Sequence, residues 1–164
     1  MAVATAPTAP TQTFELRRFD APVGAEIIGL DISKPINEVD FARIHRAHLD
    51  HHVLVFRDQQ VAPADHVVFS RRFGPLEIHV LHQFQLQGQP EILIVSNIKE
   101  KGEPIGLGDA GVYWHSDISY KDKPSLGSLL HAQELPSEGG DTLFADQHLA
   151  GAALDPALQE RILG

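Results

Sequence analysis

The sequence contains no cysteine. A disulfide framework, a zinc–thiolate centre and a thiol nucleophile are therefore excluded. No stretch approaches the roughly 18 apolar residues of a membrane span. Met1 to Thr13 lacks both the basic and the continuous apolar segment of a signal peptide, so the cytoplasm is the expected compartment. Basic charge is also short: 13 Lys and Arg stand against 22 Asp and Glu, a net −9 with no long run of either sign. That balance argues against a nucleic-acid partner or an anionic membrane surface. What remains is ordinary for a soluble globular chain, with 43% hydrophobic and 21% charged residues in 164. One domain is expected.

The stretch that carries chemistry is Val112-Tyr113-Trp114-His115-Ser116-Asp117-Ile118-Ser119-Tyr120. In an extended chain residues two apart point to the same side, so His115 and Asp117 can close on one ion. Tyr113 shares that side as a candidate substrate contact. His48-Leu49-Asp50 repeats the spacing inside a helical pattern, where residues two apart diverge around the axis. A neutral imidazole with a carboxylate suits a divalent ion, and two His with one carboxylate form the face used by non-haem Fe(II) oxygenases. The residues alone also allow a hydrogen-bonded core histidine beside a turn aspartate.

Residues 1 to 13, rich in Ala, Thr and Pro, read as a disordered tail. Phe14 to Phe19 and Ala25 to Leu30 predict short strands around Pro22-Val23-Gly24. Asp40 is the expected N-cap of a helix from Phe41 to about His52, followed by a strand over Val53 to Phe56. His45, His48 and His52 share one side of that helix, as a polar face or a second metal cluster. Pro63 opens a second helix ending at Gly74-Pro75. Strands are expected over Glu77 to His82, Glu91 to Val95, the His115 stretch, Leu126 to Gln133 and Asp141 to Phe144. Lys99 to Gly111 reads as a long loop, Pro136 to Gly140 as a turn, and Asp155-Pro156 as a helix start.

Four segments in this order, Val53-Leu54-Val55-Phe56-Arg57-Asp58-Gln59, Arg72-Phe73-Gly74-Pro75-Leu76, Trp114-His115-Ser116-Asp117 and Glu134-Leu135-Pro136-Ser137-Glu138-Gly139-Gly140-Asp141-Thr142, resemble the taurine dioxygenase and aryloxyacetate dioxygenase family. The resemblance implies a mainly β fold with flanking helices: the double-stranded β-helix, or jelly roll, of cupin type, incomplete in this chain. Residues 14–164 would be the N-terminal part of one dioxygenase domain. It implies Fe(II) as cofactor, 2-oxoglutarate as cosubstrate and O2 as oxidant, with succinate and CO2 as coproducts.

By position, His115 and Asp117 match the first two iron ligands, and Thr142 matches the residue whose hydroxyl binds a 2-oxoglutarate carboxylate. His79 matches the histidine that taurine dioxygenases place on the substrate's sulfonate. His82 stands where that enzyme has a tyrosine contact, and Gly111 stands near its substrate-binding asparagine. A small anionic organic substrate is expected, bearing a sulfonate or carboxylate, rather than taurine itself. The family's third iron ligand, a histidine, and its 2-oxoglutarate-binding arginine lie far downstream of Thr142. Here only His148 and Arg161 follow, and neither sits in a matching motif. The competing expectation is a truncated, non-catalytic member serving as a metal-binding or interaction module. Homo-oligomerisation would cover edge strands that an unclosed sheet exposes.

Overall fold

The structure is a computed structural model that describes residues 11–163. Contacts divide the chain into two compact units. Among the described residues one comprises 11–31, Pro35–Gln59 and 134–163, and the other Ile32–Lys34 and Gln60–Gln133.

The first unit is built on a three-stranded sheet of β1 (Glu15–Arg18), β2 (Ala25–Ile28) and β3 (Leu54–Phe56), in that order. β1 and β2 form an antiparallel pair in which Arg17 faces Glu26. The turn between them closes through Phe19 N–H to Gly24 O at 3.1 Å. Gly24 has φ +103°, and a Cβ there would lie 2.7 Å from the Phe19 ring, so the position requires glycine. β2 and β3 run parallel with Ala25 opposite Leu54. Parallel neighbours need a long crossover, which α1 (Glu38–His51) supplies.

The N-cap of α1 is Asn37, a correction to the expected Asp40. Asn37 Oδ1 accepts from Asp40 N–H at 2.8 Å, while Asn37 Nδ2 donates to Asp40 Oδ2 at 2.8 Å. Asp40 therefore sits inside the first turn, fully buried, and also accepts from Gln12 N–H at 2.9 Å. Of the expected disordered tail, residues 1–10 lie outside the described residues. Gln12 is held in place, its side chain bonded to the backbone of Asp31 at both ends of the amide.

Asp40, Ile44 and Ala47 form the buried stripe of α1, with Ala25 and Ile27 of β2 buried on the sheet. His45 and His48 are half-buried beside that stripe, and Phe41 lies 6.2 Å from the His45 ring. His52 leaves the helix as its C-cap with φ 64°, so the three histidines are not three successive members of one helical face. α3 (Gln147–Ala152) and α4 (Pro156–Leu163) complete this unit. α3 was not expected from the sequence, and its cap is Asp146, which accepts from His148 and Leu149 N–H.

In the second unit α2 (Pro63–Arg71) starts with proline in its first turn and buries Val67 and Phe69. It packs on β5 (Gln89–Leu93), the partner of β4 (Gln85–Leu86), and Arg71 pairs with Glu91 across that contact. The expected loop from Lys99 to Gly111 contains a small hairpin, β6 (Lys99–Glu100) with β7 (Glu103–Pro104). Lys101 and Gly102 both have positive φ, the geometry of a tight two-residue hairpin turn.

Several expected strands are not formed among the described residues. Glu77 to His82 is irregular and runs into a 3-10 turn over His82–Phe84. Local bonds replace a ladder there, since Leu81 N–H donates to His79 Nδ1 and His82 N–H to Val80 O. The His115 stretch breaks into turns from Asp117 onward, with Ile118 at φ 54° and Lys121 N–H bonded to Ile118 O. Leu126 to Gln133 and Asp141 to Phe144 also have no paired strand. A strand needs a neighbour to satisfy its amides and carbonyls, and periodicity does not reveal whether one is present. The turn over Pro136 to Gly140 is formed, with Gly139 and Gly140 both at positive φ.

Candidate metal and substrate site

Trp114 to Ser116 carries no regular structure. His115 Nε2 lies 3.2 Å from Asp117 Oδ1. Two donors each about 2.1 Å from one ion and at right angles to each other are about 3.0 Å apart. The pair thus has the spacing of adjacent ligand positions.

The surroundings of each group favour the same use. His115 Nδ1 lies 2.7 Å from the Tyr113 carbonyl, to which its N–H donates. The neutral ring then carries a lone pair on Nε2, 3.2 Å from a carboxylate oxygen. Two acceptors so close require a cation between them, either a proton or a metal ion. The His115 pKa is raised, first by the bond to Tyr113 O; burial opposes the rise, and the Asp117 charge and hydrogen bond add to it. The other carboxylate oxygen, Asp117 Oδ2, accepts from Ser128 Oγ at 2.5 Å. The donor set fits a divalent ion as two ligands. No cluster of three His, Cys, Asp or Glu able to hold a metal occurs among the described residues.

Lys121, just after this stretch, pairs with Glu77 and so ties it to the segment bearing His79 and His82. His79 Nδ1 accepts from Leu81 N–H at 3.2 Å. Gln85 Nε2 donates both to His79 O at 2.9 Å and to His82 Nδ1 at 2.9 Å. With Nδ1 used as acceptor, the neutral rings of His79 and His82 each carry their proton on Nε2. Both imidazoles therefore offer an N–H donor. Tyr113 is 83% exposed, and its carbonyl rather than its hydroxyl serves His115. Thr142 lies in the first unit, exposed, directly after the Gly139-Gly140 turn and Asp141.

Ser128 and Gln85 were not anticipated. Ser128 is eleven positions from the carboxylate it touches, beyond any local spacing rule. Gln85 acts through a 3-10 turn that the strand pattern concealed.

Short strands with flanking helices thus carry a histidine and a carboxylate 3.2 Å apart. The chain belongs to the Taurine catabolism dioxygenase TauD, TfdA family, whose model matches residues 12–164. It is 38% identical over 144 residues to pentalenolactone F synthase of Streptomyces avermitilis, an alignment spanning 85% of this chain and 47% of that protein. Identity is 30% over 149 residues to the (S)-phenoxypropionate/alpha-ketoglutarate-dioxygenase of Sphingobium herbicidovorans, covering 91% and 50%. Among solved structures, a taurine dioxygenase from Burkholderia xenovorans superposes with a TM-score of 0.77 at 27% identity, covering 92% of this chain and 51% of that one. A structure of AAD-2 in complex with Mn(II) and N-oxalylglycine superposes at 0.67 with 27% identity, covering 92% and 49%. The chain thus spans about half the length of the relatives it matches. No helix among the described residues is long and apolar enough to cross a membrane.

Proposed function

We propose that this sequence, residues 14–164, belongs to the catalytic domain of an Fe(II)- and 2-oxoglutarate-dependent dioxygenase of jelly-roll type that hydroxylates a small anionic organic molecule. The observation that carries this reading is the His115 Nε2 to Asp117 Oδ1 separation of 3.2 Å, with the opposite side of each group already engaged. His115 and Asp117 hold the iron, and Thr142 donates its hydroxyl to a 2-oxoglutarate carboxylate. Bound iron supplies the oxidative chemistry that couples decarboxylation of 2-oxoglutarate, giving succinate and CO2, to hydroxylation of the substrate by O2.

The residues of this chain orient the reactants. His79 and His82 present Nε2–H donors, which suits a carboxylate or sulfonate on the substrate. Tyr113, exposed beside the metal pair, supplies an aromatic wall. No side chain is asked to act as general acid or base. The relatives support the class, since the matching region is shared with an alpha-ketoglutarate-dioxygenase of (S)-phenoxypropionate and with a taurine dioxygenase. They do not favour a non-catalytic module.

The test is 2-oxoglutarate turnover, read as succinate, in the presence of aryloxyalkanoic acids, alkylsulfonates and their neutral amides. Stimulation by the acids and not by the amides is expected, with His79→Ala raising KM about tenfold or more, as expected for loss of a hydrogen bond to a charged group. Equal stimulation by the amides would remove the anionic substrate from the account.

A further inference from the structure

We infer that the Glu77–Lys121 ion pair is a strut that fixes the span between the substrate-holding histidines and the metal pair, and through that span the length of substrate the site accepts. Both are positioning residues, each acting through its neighbours in the chain. The inference rests on the roles proposed above for His79, His82, His115 and Asp117 and adds what sets their spacing.

Each of the two segments is braced from within. Leu81 N–H donates to His79 Nδ1 at 3.2 Å and His82 N–H to Val80 O at 3.0 Å, while the Gln85 amide reaches both His79 O and His82 Nδ1. On the other segment His115 Nδ1 is bonded to Tyr113 O, and Lys121 N–H closes on Ile118 O at 3.1 Å just after Asp117. Neither Glu77 to His82 nor Tyr113 to Lys121 lies in a strand, so no ladder registers one against the other. The bond from the Lys121 ammonium to the Glu77 carboxylate joins them across 44 positions of sequence. Glu77 stands two residues before His79, and Lys121 four after Asp117.

The side chains of Lys121 and Glu77 are 37% and 48% exposed. An ion pair so placed shifts an equilibrium about threefold. That is too little to hold a fold together and enough to bias two braced segments between a set and an open spacing. A substrate whose anionic group rests on His79 and His82 presents to the metal pair whichever carbon lies one span away. A fixed span therefore selects a chain length, and a loosened one selects less.

The sequence supplies its own probe. Trp114 is its single tryptophan, cysteine is absent, and Val80 is 63% exposed. An aminonaphthalene label on Val80→Cys receives energy from Trp114, and time-resolved decay gives the distribution of distances between the two segments without metal or substrate. Lys121→Ala and Glu77→Ala should each raise the more distant population about threefold, with unchanged far-UV circular dichroism. The swap Glu77→Lys with Lys121→Glu should restore the parent's distribution. About 1 M NaCl, where the screening length falls to about 3 Å, should move the parent toward the single variants and leave those variants unmoved. Single variants with the parent's distribution, or a swap that restores nothing, overturn the strut. With alkylsulfonates of increasing length, the profile of kcat/KM should be sharp in the parent and in the swap and flatter in Lys121→Ala. An unchanged profile beside a changed distance overturns the role in selection. Turnover with no acid of any length overturns the catalytic reading instead, and the distances still decide the strut.

Discussion

His115 is held from both sides, by the Tyr113 carbonyl on Nδ1 and by Asp117 next to Nε2. Replacing His115 or Asp117 with Ala should therefore abolish Fe(II) binding, whereas His48→Ala should leave it intact. Equilibrium dialysis of the three variants checks this. Equal loss from all three would contradict the face argument, since His48 precedes Asp50 by the same two positions on a helix. Charge elsewhere makes a separate prediction. Glu26, buried in the middle strand, is bonded to Arg17 at 2.5 Å and to Arg57 at 3.0 Å. The hydrogen bond from Arg17 leads in holding its carboxyl below the ordinary range, with the charges of Arg17 and Arg57 adding and burial opposing. A carboxylate with a depressed folded pKa contributes stability above its unfolded value of about 4.3 and loses it as pH falls through the folded value. Urea unfolding followed from pH 7 to pH 3 should show the parent weakening below about pH 4.3, and Glu26→Gln weakening less over that range. Burial pushes the His48 imidazole down, with His45 and His52 adding to the effect. By the same sign its contribution is present above about pH 6.5 and fades on acidification.

The element most exposed to a single change is α1. Asn37 satisfies Asp40 N–H and simultaneously donates to the buried Asp40 carboxylate. Asn37→Ala should cost about 2 kcal/mol, the upper end for a cap, because a buried acceptor also loses its partner. Ile44→Ala, at a fully buried position, should cost about 3 kcal/mol through lost burial and the cavity left behind. Both are read from urea midpoints at pH 7. The same elements show what the sequence reveals. β1, β2, α1, β3, α2 and α4 were legible because each announces itself locally, by alternation, by a first-turn proline or by the Asp155-Pro156 start. The cap was misassigned by three residues because Asn37 and Asp40 both suit the position, and only the tertiary bond from Gln12 separates them. The strands expected at Glu77 to His82 and Leu126 to Gln133 have the right composition. Pairing depends on a neighbour that composition does not encode.

Across the whole chain, local spacing was enough to aim His115 at Asp117, even though the nine-residue strand expected around them is replaced by turns after Ser116. Family membership is shown over residues 12–164, and resemblance rather than spacing singles out His79, His82 and Thr142 as expected site residues. Thr142 in particular follows a Gly-Gly turn with nothing local to mark it. What no local rule reaches is the outer contact from Ser128, which depends on the chain returning after eleven residues.

The central claim is that His115 and Asp117 share one iron ion competent to take 2-oxoglutarate. An anaerobic titration of the folded chain with Fe(II) and 2-oxoglutarate tests it most directly, followed by metal-to-ligand charge-transfer absorption and repeated with His115→Ala and His48→Ala. The account predicts a band in the parent and in His48→Ala that is lost in His115→Ala. No band in a parent chain shown to be folded, or a band that survives in His115→Ala, would contradict it.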